Sequence, residues 1–104
     1  MKQNLNINYK KYDKYIEEGI NLSKKGDYAN AISFFMKARS LDEKRNQSYI
    51  NLANIYVLLN EIDLSLKTLY DYLLKFNNNE ILLHYLKICL NYNLDDQFLK
   101  IVTK

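Results

Sequence analysis

Proline and tryptophan are absent from this 104-residue chain, glycine occurs only at Gly19 and Gly26, and cysteine and histidine occur once each, at Cys89 and His84. Without proline there is no obligate helix break, and two glycines leave few sites for sharp reversal. The composition therefore favours helices joined by short turns. A single cysteine excludes an intrachain disulfide, in keeping with a reducing compartment, and the expected location is cytoplasmic. His84 and Cys89 stand about 140° apart around a helix, a poor geometry for a base and its nucleophile. No Cys/His spacing suits zinc, and no glycine-rich loop is present to cradle a phosphate. Asp95 and Asp96 read as a helix start rather than a metal site. The chain has no run near the roughly 20 apolar residues that span a bilayer. Residues 1–8 lack the apolar core of a secretory signal. These absences predict a protein that is not an enzyme and needs no cofactor and no metal.

Charge adds little. The formal net charge is +3, with ten Lys/Arg against six Asp/Glu in residues 1–45 and five against six in residues 46–104. A basic first half suits acidic partners in principle, but the mixture is that of an ordinary solvated surface, so nucleic-acid binding is the least favoured reading. Asn, Lys, Ile and Tyr share A/T-rich codons, and their abundance is discounted as a functional clue.

What is present is a period. Lys24-Lys25-Gly26-Asp27-Tyr28-Ala29-Asn30-Ala31-Ile32 returns in degenerate form 34 residues later, as Leu58-Leu59-Asn60-Glu61-Ile62-Asp63-Leu64-Ser65-Leu66. Tyr15 returns as Tyr49, and the same step leads to Leu83. A helical hairpin repeated at this length cannot bury its apolar face alone, so neighbouring units must stack.

Apolar spacings of three and four place six helices. The first runs from Tyr9 to Lys24 with Tyr12, Tyr15, Ile16, Gly19, Ile20 and Leu22 on one face, and ends at Gly26. Asp27 caps the second, whose Ala31, Phe34, Phe35 and Ala38 alternate small and large. The third, Gln47 to Leu59, packs Tyr49, Leu52, Ala53 and Tyr56. The fourth, Ile62 to Phe76, turns Ile62, Leu66, Leu69, Tyr70 and Leu73 inward. The fifth, Glu80 to Tyr92, is capped by Asn79 and has Leu83, Leu86 and Leu90 as its core. A short sixth carries Phe98, Ile101 and Val102.

On these residues the chain resembles the tetratricopeptide repeat family. Gly19, Gly26, Tyr28, Ala31, Phe35 and Ala38 match the motif's small and aromatic positions in a first repeat (12–45). Tyr49, Leu52, Ala53 and Tyr56 match in a second (46–79), with Ser65 and Tyr72 replacing alanines. Leu83, Leu86 and Leu90 match in a third (80–104), with Lys87 at a small position and a turn about two residues shorter. Residues 1–11 are left as an N-terminal extension, and 12–104 as a single domain. The resemblance implies an all-α fold, an α-solenoid of three stacked helix–turn–helix units in a right-handed superhelix.

It further implies a concave groove lined by the first helix of each pair and a protein or peptide partner bound there. The groove positions are Ile16, Ile20 and Lys24 from repeat one; Ile50, Asn51, Asn54 and Val57 from repeat two; His84, Ile88 and Tyr92 from repeat three. The five aliphatics among them form an apolar strip fit for an amphipathic helix or an extended segment. The carboxylate clamp by which some relatives hold acidic C-terminal tails is missing, because Ile16 and Ile20 stand where charged donors are needed. The other expectation is self-association, as a homodimer or a part of a longer array. The segment with Leu5, Ile7 and Tyr9 is a further candidate occupant of the groove.

Overall fold

Among the described residues, three adopt the left-handed backbone conformation: Gly26 (φ 80°), Asn60 (φ 59°) and Asn93 (φ 55°). Glycine does so without penalty and asparagine with little. Each sits just beyond a helix and lets the following amide reach back across the last turn. Asp27 N donates to Leu22 O (2.9 Å), Glu61 N to Tyr56 O (2.7 Å) and Leu94 N to Cys89 O (2.8 Å). This is the six-to-one bond of a glycine-type helix C-cap, made three times. The step is 34 residues from Gly26 to Asn60 and 33 from Asn60 to Asn93.

The computed structural model describes the backbone of residues 2–102 and the side chains of residues 8–97 and of Lys100. Among the described residues it is all-helical: α1 (Lys2–Lys24), α2 (Tyr28–Leu41), α3 (Gln47–Leu58), α4 (Ile62–Leu73), α5 (Asn79–Asn91) and α6 (Asp95–Val102). Helices adjacent in sequence pack on one another, and α1 also touches α3. The Cα envelope measures 45 × 32 × 15 Å, so its short axis has room for two layers of helices.

The helices lie where the spacing places them, with three corrections. The first is at the start, where α1 begins at Lys2 rather than Tyr9, so the backbone of the segment weighed as one candidate occupant of the groove forms instead the first turns of one continuous helix. The fourth helix stops at Leu73, three residues before Phe76, and Asn78 rather than Asn79 caps α5, accepting from Ile81 N at 3.0 Å. In the third place, Leu83 and Leu90, expected in the core, are 53% and 66% exposed. The buried positions of α5 are Ile81, Tyr85, Ile88 and Cys89. A 33-residue step explains this last error, since one residue is about 100° of helix rotation.

Among the described residues, two clusters make up the core. One joins α1, α2 and α3 through Tyr12, Ile16, Ala31, Phe35, Ala38, Leu52 and Ile55. The other joins α3, α4 and α5 through Tyr49, Ala53, Leu66, Leu69, Tyr72, Ile81, Tyr85, Ile88 and Cys89. Helix α3 serves both, with Leu52 and Ile55 in the first cluster and Tyr49 and Ala53 against α4 in the second. The two departures from alanine are absorbed. Ser65 is fully buried and donates to Ala53 O at 2.8 Å, tying α4 to α3. Tyr72 stacks edge-on against Tyr49 (4.8 Å between centroids) and donates to Lys44 O at 2.6 Å.

Ser48 is different. It is fully buried, and its hydroxyl has no hydrogen-bond partner among the described residues. An orphaned buried hydroxyl costs about 1–3 kcal/mol, part of which a methyl group avoids. Ser48→Ala should therefore raise stability by about 1 kcal/mol in urea titration. A loss of stability would mean the hydroxyl is satisfied after all.

Candidate functional site

The first helices of the three hairpins present four rows of matching positions, read off the 34- and 33-residue steps. They are Asp13–Gln47–Glu80, Glu17–Asn51–His84, Ile20–Asn54–Lys87 and Lys24–Leu58–Asn91. Two open clefts follow this face. One, about 370 Å³, lies between α1 and the start of α3, against Asp13, Glu17, Ile20, Lys24 and Gln47. The other, about 550 Å³, runs from Gln47, Ile50 and Asn51 to Asn78 and Glu80 at the start of α5. Gln47 belongs to both, which makes them one trough.

Charges along its rim are arranged by Arg45, in the turn before α3. Its Nη2 pairs with Asp13 Oδ1 at 2.8 Å and donates to Gln47 Oε1 at 3.1 Å. Its guanidinium lies over the Tyr12 ring (4.0 Å) and the Tyr9 ring (4.2 Å). Next to it, Asn46 Nδ2 reaches α5 through Glu80 Oε2 at 3.2 Å and Asn78 Oδ1 at 3.4 Å. Arg45 and Asn46 thus tie the starts of α1, α3 and α5 together.

The residues expected to line the groove are distributed unevenly. Asn54, Lys24 and Tyr92 are exposed, and Ile20, Ile50, Asn51, Val57 and His84 are half-buried. Ile16 and Ile88 are only 6% and 9% exposed and belong to the two core clusters. The continuous aliphatic strip is therefore mostly interior, and the trough offers carboxamides and charges instead. Leu58, 65% exposed at the end of α3, is the large apolar side chain left open there. Glu17, Glu80 and Lys87 are missing from the residues expected at the groove. Glu17 was legible from the 34-residue repeat, and Glu80 and Lys87 needed the 33-residue step.

A cleft of about 460 Å³ on the other side was not foreseen. It lies between α4 and α6, with Asp63, Lys67, Tyr70, Asp71 and Lys100 around it and the Tyr85 ring behind. Lys67 is bonded to Asp71 at 3.0 Å, and the Lys100 ammonium sits 4.4 Å from the Tyr70 ring centre. No sequence signal marks it, because its walls come from separate hairpins.

Burial pushes the Tyr85 phenol up to about 12 from its ordinary 10.0, helped by Cys89 and Tyr70. Well below pH 10 the phenol is neutral whether the chain is folded or not. Between pH 10 and 12 the unfolded chain loses the proton while the folded chain keeps it, so stability falls as pH rises. The loss from this group should be about 1 kcal/mol at pH 11 and absent in Tyr85→Phe. Denaturant titrations of both proteins at about pH 8 and pH 11 read the difference, and equal losses would discount Tyr85.

The half-buried His84 and the fully enclosed Cys89 point to different surroundings, and burial also raises the Cys89 thiol pKa. Among the described residues, no three His, Cys, Asp or Glu side chains converge as for a metal ion, and no helix is long and apolar enough to cross a membrane. No family model, curated protein or solved structure matches the chain.

Proposed function

We propose that the chain is a non-enzymatic protein-binding module. It is a short solenoid of three hairpins of tetratricopeptide type, and the trough across α1, α3 and α5 receives a polypeptide segment. The observation that carries this reading is the threefold C-cap turn at 34- and 33-residue steps. Hairpins repeated in this way stack side by side and turn equivalent helices to one face.

The trough chemistry selects the guest. An extended chain has backbone amides and carbonyls left unpaired, and a carboxamide can both donate to and accept from them. Asn51 and Asn54 supply such groups in the middle of the face, flanked by Ile20, Ile50 and Val57 for one or two apolar side chains. Glu17 and Glu80 lie toward one edge, and Lys24 and Lys87 toward the other. That arrangement favours an extended peptide with basic and acidic residues on opposite sides over a wholly apolar helix.

The test is selection from a displayed random-peptide library, followed by titration of a winning synthetic peptide into the 15N-labelled chain. Amide shifts should map to Glu17, Asn51, Asn54 and His84. The exposed pair Asn54→Arg with Lys87→Glu should weaken binding about tenfold while leaving helicity unchanged. Shifts confined to α2 and α4, or unchanged affinity in the variant, would reject the trough.

A further inference from the structure

We draw no further inference here: the strongest candidate, the cleft of about 460 Å³ between α4 and α6, sets two carboxylates (Asp63 and Asp71) against two ammonium groups (Lys67 and Lys100) and so selects a ligand of neither charge, and nothing in the structure shows what occupies it.

Discussion

Gly19→Ala should destabilise this protein by about 2–3 kcal/mol, even though alanine is the better helix former by about 1 kcal/mol. Gly19 lies in the middle of α1, buried, with helical backbone, so it is not needed there for a turn. It is needed for space. A Cβ on Gly19 would fall inside contact distance of the Phe35 ring, 2.4 Å from Cε1 and 2.7 Å from Cζ. Phe35 is 1% exposed and wedged among Tyr12, Ala31, Leu52 and Ile55, so the ring cannot swing into solvent. Either α1 and α2 separate, or Phe35 leaves its rotamer, and both forfeit packing across the first core cluster. The propensity gain and the steric loss have opposite signs, so the measurement discriminates cleanly. Urea denaturation of Gly19→Ala, Phe35→Leu and the double variant should give a favourable coupling of at least about 1 kcal/mol, because Leu vacates part of the ring's volume. A neutral or stabilising Gly19→Ala would show that the helices are not in close contact at this point.

The same pair marks how far the sequence could be read. The alternation of small and large residues at Gly19, Ala31, Phe35 and Ala38 is visible in the string, and the structure puts all four in one interface. Spacing also located the first two C-cap turns, because Gly26 and Asn60 both suit a left-handed residue. Phase failed in the third hairpin for a physical reason. Helix α5 is apolar on nearly every side, with Ile81, Leu82, Leu83, Tyr85, Leu86, Ile88, Cys89 and Leu90 in ten residues. Two registers one residue apart each give a full apolar stripe, so periodicity cannot choose between them. Only the positive φ of Asn93 reveals the 33-residue step, and Asn93 is one of many asparagines. The groove inherited that error and one more. Ile16 and Ile88 occupy groove-like positions on their helices, but neighbouring hairpins close over them. Burial by a helix distant in sequence leaves no local signature.

Tyr12→Phe should cost about 2–3 kcal/mol, more than most single hydroxyl deletions, because the hydroxyl stands in for a missing helix cap. Asn46 occupies the N-cap of α3, but its side chain makes no capping bond and reaches instead toward Asn78 and Glu80. The amide of Ser48, in the first turn of α3, is served from α1: Tyr12 Oη accepts from Ser48 N at 3.1 Å and faces Arg45 O at 3.4 Å. Tyr12 is fully buried, so water cannot take over. Phenylalanine keeps the ring under the Arg45 guanidinium and leaves a buried N–H without a partner, which isolates the hydrogen-bond contribution from the packing contribution. This bond joins the first hairpin to the second at the edge of the trough, so its loss should be felt as lost cooperativity as well as lost stability. In Tyr12→Phe, hydrogen exchange of α1 and α2 amides should speed up more than that of α4 and α5 amides, since the first hairpin opens separately. Uniform acceleration along the chain, or a stability change below about 0.5 kcal/mol, would show that α3 is capped without Tyr12.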